Sequence, residues 1–419
     1  MAYYTAASLI HDHRGDEIYD GADNGVDPQL RMADKGSIFG SEALSRGIQE
    51  TSLYVYPPLL AYLISPLAGF PISDVLSLWK ILNWVELLVA SVVLTRLLGL
   101  RLLGFGGLCV FLLLFAYRPT LECFFYGQIT IMMLLLEVGG MLLYSRGHKT
   151  SGALLFAVAT AIKITPAIVI VPLVAWRDWK ALRAFALGCL AIAGTLWIPD
   201  GGRLVVDFVA HVMPAMASGI IAKDNKALSS SLQFCWSTIR PGSSTRWLGI
   251  GAKIVSVATV LYAGWLSRSR SNDENGGNRI EILALLLLLS CCVAPVSWRH
   301  AYVASAPALA IFFKRMLEGK ARVAEAIVVS CFTLSISSFG FSELARSTGN
   351  PILAMWANCA PVLGVAVVIM GLRRLREGVC EIGHRPYGTP GVLVDAAPSA
   401  GLMNAAPTAR VGAGSAGDF

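Results

Sequence analysis

Charge is scarce in these 419 residues: Asp, Glu, Lys and Arg together make up 15% of the chain, against about a quarter in a soluble domain. With 55% hydrophobic residues and a mean hydropathy of +0.62, that scarcity excludes an ordinary soluble fold and implies an integral membrane protein. The nine cysteines contain no C-x-x-C pair and fall mostly in apolar runs, where Cys behaves as a small hydrophobe, so neither a disulfide framework nor a zinc site is implied. No other metal-ligand spacing occurs; the expectation is no metal and no cofactor. The opening MAYYTAASLI lacks the basic segment and the long apolar run of a signal peptide. The two halves also lack a matching pair of Pro-interrupted segments, which counts against a repeat-built transporter.

Lys and Arg are nonetheless in excess, with a net charge of +7. They cluster in short links between apolar runs, at Arg96/Arg101, Arg146/Lys149, Arg177/Lys180/Arg183, Arg268/Arg270/Arg279, Lys314/Arg315/Lys320/Arg322 and Arg373/Arg374/Arg376. Such spacing sets orientation in a membrane, with all six links cytoplasmic, and points to membrane lipids rather than nucleic acid.

Polar, acidic sequence over 1–56 reads as a first extracytoplasmic loop folded in water. The stretch Tyr54 to Pro71 follows, where Pro57 and Pro58 start a helix that Pro66, Gly69 and Pro71 close. It is shorter than the roughly 20 apolar residues of a span, so an interfacial helix over 57–71 is expected, with its tyrosines at headgroup level. Apolar runs then recur at about 75–98, 102–118, 124–144, 151–176, 181–198, 247–266, 280–297, 300–314, 324–341 and 351–372, giving about ten membrane helices. Strict alternation fails only at 151–176, where one crossing would separate two basic links. Lys163, Thr165 and Pro166 interrupt that run, which predicts two short helices forming a re-entrant pair, allowed where broken backbone lines a cavity. The rival parity makes 57–71 a true span and 151–176 one kinked helix. A long extracytoplasmic loop covers 199–246, the Arg118 to Tyr126 segment and 342–350 are shorter outer turns, and from 376 the Gly- and Ala-rich sequence predicts a disordered cytoplasmic tail.

Several polar residues stand where chemistry is possible. An ammonium in mid-span costs about 2.5–3.5 kcal/mol on insertion scales, so Lys163 should face a cavity, bound either to an anionic ligand or to Glu137 or Glu86 within neighbouring spans. Arg299 and His300 lie beside Trp298 at an outer turn, readable as site residues or as a snorkelling Arg and an interfacial His. Gln128 opens a span, where its amide bonds a sugar hydroxyl or caps the helix. Arg118 and Tyr56 suit a substrate groove or an ordinary interface belt. Lys223, Lys226 and Arg240 read as a solvated charged face of the outer loop or as contacts for an anionic acceptor.

Five short elements in order carry a resemblance: Tyr56-Pro57-Pro58, Leu78-Trp79 with Asn83, Tyr126-Gly127-Gln128-Ile129, Lys163-Ile164-Thr165-Pro166, and Ala294-Pro295-Val296-Ser297-Trp298-Arg299-His300. Over about residues 3 to 375 the chain resembles glycosyltransferase family 87, membrane enzymes of the GT-C fold that use polyprenyl-phosphate-mannose. The resemblance implies an all-α polytopic membrane protein with a GT-C-like bundle over 57–375. It also implies inverting hexosyl transfer, of mannose in kind with the family, from a polyprenyl-phosphate donor to a lipid-linked or cell-envelope glycan outside the membrane. Asn225-Lys226-Ala227-Leu228-Ser229 resembles the family's Asn-Gln-Ser-Leu element with two residues replaced. By this likeness His300 becomes the catalytic candidate, and Lys163, Arg299, Gln128, Tyr56, Asn225 and Arg118 become substrate-binding candidates.

The likeness departs at the start. Tyr3-Tyr4-Thr5-Ala6-Ala7, Gly15 and Tyr19-Asp20 match the later part of the family's opening pattern, which places the family's catalytic Asp and first span before Met1. The expectation is therefore a chain that starts too late, or a truncated and inactive paralogue, in which Asp12, Asp16 and Asp20 are the nearby acids and Asp20 shapes its loop. A transporter or flippase of lipid-linked sugars is the alternative class. Transfer from a lipid phosphate needs no strong acid; it needs a carboxylate to take the acceptor's proton and cations to hold the phosphate.

Overall fold

Backbone amides and carbonyls in an apolar solvent must bond within their own segment, which a helix alone achieves without a partner. The computed structural model describes residues 1–22, 33–219, 221, 224–240, 242–268, 277–338, 344 and 347–383. Among them the regular structure is helical, with no strand and one isolated antiparallel bridge, Asn225 to Trp298. Contacts divide the chain into Met1–Gly378 and Val379–Phe419.

The first unit opens with α1 (Ala2–His11) and α2 (Ile38–Ser45), then α3 (Leu59–Ile64) running into a 3-10 turn at Ser65–Leu67. Ser37 caps α2 by accepting from the Gly40 amide. At nine residues, the 59–67 element reaches about 13 Å, well short of a bilayer core. Next come α4 (Ile72–Leu97), α5 (Phe105–Ala116), α6 (Arg118–Tyr126), α7 (Thr130–Ser145), α8 (Lys149–Ile162), a 3-10 stretch at Thr165–Val169, α9 (Ile170–Ala175) and α10 (Trp179–Asp200). The long connection after α10 folds into α11 (Arg203–Asp207), a π turn at Phe208–Val212, α12 (Met213–Ala217) and α13 (Leu228–Ile239). The remaining helices are α14 (Arg246–Ser267), α15 (Gly277–Val293), a 3-10 helix at Arg299–Ser305, α16 (Ala306–Leu317), α17 (Val323–Ser337), α18 (Pro351–Asn358) and α19 (Ala360–Gly383).

Among the described residues three helices, α4, α10 and α14, are long and apolar enough to cross a membrane. The count is five if the bent pairs α5–α6 (47°) and α18–α19 (44°) are each one span. Helices α7, α8 and α17 are apolar but shorter.

Two expectations change. The Arg118 to Tyr126 segment is a helix, because Pro119 in its first turn fixes a helical φ after the extended Tyr117 and so begins a helix instead of ending one. Helix α19 continues to Gly383, beyond the boundary expected at 376; the rest of the tail, Lys223 and residues 342, 343, 345 and 346 of the turn over 342–350 lie outside the described residues. The opening segment is folded: residues 2–9 are buried in α1 and belong to a packed core.

The apolar packing falls into two main bodies. The larger joins α4, α5, α7, α8, α10, α15, α16, α17 and α19 through residues such as Leu94, Leu134, Phe156, Leu286 and Phe332. The second packs α1, Tyr19, Phe39, Tyr54 and α3 on Ile129 and Met133 of α7, Ala159 and Ile162 of α8, and Leu204 and Phe208. Within the first, α7 and α8 approach so closely that a Cβ on Gly152 would stand 2.7 Å from the Gly140 carbonyl oxygen. Small residues at such crossings let membrane helices pack backbone to backbone. Lys163 follows Ile162 directly, at the junction of the two bodies.

Candidate active site

Helix α8 ends at Lys163, whose own φ and ψ are extended, and Pro166 then enters a tight 3-10 turn that continues into α9. A Pro in a helix interior loses a hydrogen bond and clashes with the preceding turn, so the break belongs here. The chain turns back: Lys149 Nζ at the start of α8 lies 3.0 Å from Asp178 Oδ2 after α9, and the Tyr144 hydroxyl donates to the same oxygen at 2.7 Å. Both ends of 149–178 therefore meet, and the Lys163 break is the far tip of a helical hairpin.

Around that tip the structure gathers side chains from distant sequence. The Lys163 ammonium stands 5.9 Å from the centre of the Tyr56 ring, a cation–π distance. Gln128 Oε1 accepts from the Tyr3 hydroxyl at 2.8 Å and from that of Tyr56 at 3.5 Å. Tyr3 also packs edge-on to Tyr56, with ring centres 5.1 Å apart. Gln128 reaches this place because Gly127, at φ 61°, takes the left-handed cap of α6 and lets α7 begin in a new direction. The Gln128 side chain does not cap α7.

A cavity of about 10 Å3, room for one water, lies against Lys163 and is lined also by Thr130, Glu137, Thr165, Cys291 and Ser297. Among the described residues Lys163 has no ion pair with Glu137 or Glu86 within 4.0 Å. Thr130 Oγ1, Glu137 Oε2 and Ser297 Oγ are buried on its walls without hydrogen-bond partners, and so is His300 Nε2 three residues beyond Ser297. A cluster of orphaned buried polar atoms needs an explanation, and a polar ligand supplies one. Metal chelation is a poorer match: among the described residues no three His, Cys, Asp or Glu side chains converge.

His300 is 7% exposed, on the 3-10 helix Arg299–Ser305 that packs against α6, α7 and α15. Its ring centre is 6.4 Å from that of Tyr126. Neighbouring Arg299 points elsewhere, to Glu122 Oε1 at 2.7 Å, and Arg118 Nε lies 3.4 Å from the same oxygen. Two cations therefore share one acid beside the His300 turn. Glu122 had no place in the sequence reading, though its position four residues after Arg118 is the helical spacing of an ion pair.

Asn225 serves as a clasp. Its Oδ1 accepts from the amides of Ser297 (2.8 Å) and Ala227 (3.1 Å), and its Nδ2 donates to the Pro295 carbonyl at 3.4 Å. It thereby ties the long outer connection to the element carrying Arg299 and His300. Lys226 corrects the expectation of a solvated face: it is fully buried, donating from Nζ to the Ala357 carbonyl (2.9 Å) and Asn358 Oδ1 (3.0 Å), while Tyr302 donates to its carbonyl at 2.7 Å. Burial pushes its ammonium pKa down from 10.5 to about 8, with the Arg299 charge adding in the same direction. Arg240 is exposed and lies over the Trp236 ring at 5.0 Å.

The opening acids are occupied elsewhere. Asp12 pairs with Arg46, Asp16 with Arg203 at 3.4 Å, and Asp20 accepts the Ile38 amide at 2.8 Å, at the start of α2.

Residues 54–295 match the model of glycosyltransferase family 87. The chain is 27% identical over 260 residues to a polyprenol-phosphate-mannose-dependent alpha-(1-2)-phosphatidylinositol pentamannoside mannosyltransferase of Mycobacterium tuberculosis (strain CDC 1551 / Oshkosh), covering 60% of this chain and 56% of that one. It is 25% identical over 260 residues to the protein of the same description from Mycolicibacterium smegmatis (strain ATCC 700084 / mc(2)155), covering 60% of this chain and 58% of the other. The match thus spans under two thirds of the length of these curated relatives.

Proposed function

Since this chain belongs to glycosyltransferase family 87, we propose that it transfers a hexose, mannose first among candidates, from a polyprenyl phosphate to a lipid-linked or cell-envelope glycan. In the reaction the acceptor oxygen attacks the anomeric carbon with inversion, its proton passes to a base, and the bond to phosphate breaks, releasing polyprenyl phosphate. The two relatives are described as dependent on polyprenol-phosphate-mannose and as acting on a phosphatidylinositol mannoside; for this chain the donor class is proposed and the acceptor is left at its chemical class.

One observation carries the reading: a lysine at the tip of a broken helical hairpin, beside orphaned polar atoms and within the matched region. An ammonium so placed is suited to a phosphate in a low-dielectric site, where each cation–anion hydrogen bond is strengthened. In this scheme Lys163 holds the donor phosphate, and Tyr56 and Gln128 form the wall beside it. Arg118 and Arg299, held beside Glu122, are substrate-binding candidates next to it. His300, with its unpartnered Nε2, is the proton-handling candidate, and Asn225 positions it through Ser297. Membership of a transferase family does not favour the transporter alternative.

The proposed topology has about ten spans, with α7, α8–α9 and α15 to α17 included and the 149–178 hairpin re-entrant from the basic, cytoplasmic side. The interfacial 57–71 helix, the 199–246 loop and the active site then face the extracytoplasmic side, and the tail faces the cytoplasm.

The test is incubation of purified protein with polyprenyl-phosphate-mannose and a phosphatidylinositol mannoside acceptor, following release of polyprenyl phosphate. The parent should turn over, and Lys163→Ala should lose on the order of 10² in kcat/KM, as when one preorganised donor is removed. A Lys163→Ala variant as fast as the parent would contradict the scheme.

A further inference from the structure

Glu137 has no part in the scheme above, yet it sits in its centre. It lies on α7, is 2% exposed, lines the same small cavity as Lys163, and leaves Oε2 without a hydrogen bond. An isolated buried carboxylate is costly, and so is an isolated ammonium at membrane depth. Glu137 and Lys163 line the same cavity, although no direct ion pair closes it. Thr130 and Ser297, whose hydroxyls are also unpartnered, stand on the same walls.

The geometry points to Glu137 as the resting counter-ion of Lys163, displaced in that role by the phosphate of the incoming lipid. Without donor, the ammonium is balanced by the Glu137 carboxyl through the cavity. With donor, the phosphate takes the ammonium's donors and competes with Glu137 for them. Glu137 therefore sets how tightly the site holds lipid phosphate, donor and released product alike. A residue that weakens phosphate binding in this way favours product departure, because the product keeps the phosphate and loses only the sugar. Glu137 is a positioning residue in this account; it touches Lys163's field and not the reacting atoms. The inference rests on the assignment of Lys163 to the donor phosphate.

The experiment is binding of a polyprenyl phosphate, without sugar, to the full-length protein in lipid nanodiscs. Glu137→Gln should bind the probe more tightly than the parent by at least about threefold, roughly half of a tenfold, 1.4 kcal/mol step. Lys163→Ala should bind it at least about tenfold more weakly. In the double variant, Glu137→Gln should bring no gain, since the cation it shields is gone. Unchanged or weaker binding by Glu137→Gln overturns the inference while leaving the donor site intact, whereas undiminished binding by Lys163→Ala overturns the donor assignment itself. Thermal unfolding without ligand gives an independent reading if Glu137→Gln alone folds poorly. Lys163→Ala strands a buried carboxylate, so adding Glu137→Gln to it should raise the midpoint; a further fall would contradict the pairing.

Discussion

Lys149 Nζ and Asp178 Oδ2 stand 3.0 Å apart, closing the base of a hairpin whose tip, some fourteen residues in, is Lys163. The ion pair holds together two ends that the apolar sequence between them leaves unconnected. Asp178 also accepts from Tyr144 and from the Ala181 amide, where it is the N-cap of α10.

Asp178→Ala should therefore lower stability by about 2 kcal/mol, combining a lost cap with a lost charge-assisted hydrogen bond. Thermal unfolding in nanodiscs checks this. Burial raises the Asp178 pKa, but hydrogen bonds from Tyr144 and Lys149 outweigh it and hold the carboxyl below 3.8. A carboxyl depressed on folding contributes stability that is complete above its unfolded value and is lost as pH falls through the folded one. The Asp178 contribution should thus be constant from pH 5 to 7 and fade below about pH 4.

Lys226 gives the opposite dependence. Its folded pKa of about 8 lies below the ordinary 10.5, so between those values the unfolded chain binds the extra proton and stability rises with pH. The protein should melt higher at pH 9.5 than at pH 7.5 in this respect, and Lys226→Met should remove that increment. An unchanged pH slope in the variant would argue against the burial of this lysine.

Glu122→Ala removes the acid shared by Arg118 and buried Arg299, leaving a desolvated guanidinium unpaired. The expected cost is about 3–5 kcal/mol, as for other broken buried pairs. Adding Arg299→Ala should recover part of it. A loss of activity in Arg299→Ala alone therefore needs a parallel melting curve before it is ascribed to substrate.

Gly152 meets Gly140 where α7 crosses α8. Gly152→Ala forces a methyl to 2.7 Å from a carbonyl oxygen and should destabilise by about 1–3 kcal/mol. Gly147→Ala, with open space around its Cβ but a φ of 84°, should cost only the backbone strain, about 1 kcal/mol.

Features written in local chemistry were legible in the sequence. Pro166 beside Lys163 announced a broken helix, and Pro57, Pro58, Pro66 and Pro71 announced a short one, because proline acts on its own backbone. The shared neighbourhood of Lys163, Gln128 and Tyr56 was legible only through their ordered elements, since each residue alone also suits an interface belt. What could not be read depends on distant partners. Lys226 looks solvated until Ala357 and Asn358 arrive from 131 and 132 positions away. Glu122 looks like one more surface acid until Arg299 closes on it from 177 positions away. Asp20, matched to the family's opening pattern and expected to shape its loop, accepts the Ile38 amide from 18 positions away.

The most direct measurement of the central claim is photocrosslinking of purified protein with polyprenyl-phosphate-mannose carrying a photoreactive group near the phosphate, followed by peptide mapping. The account predicts labelling confined to segments at the hairpin tip and its walls, around Tyr56, Gln128, Lys163 and Ser297–His300, and abolished by excess unlabelled polyprenyl phosphate. Competable labelling elsewhere, for instance around the Glu281, Glu325 and Arg374 charge cluster with these segments unlabelled, would contradict it.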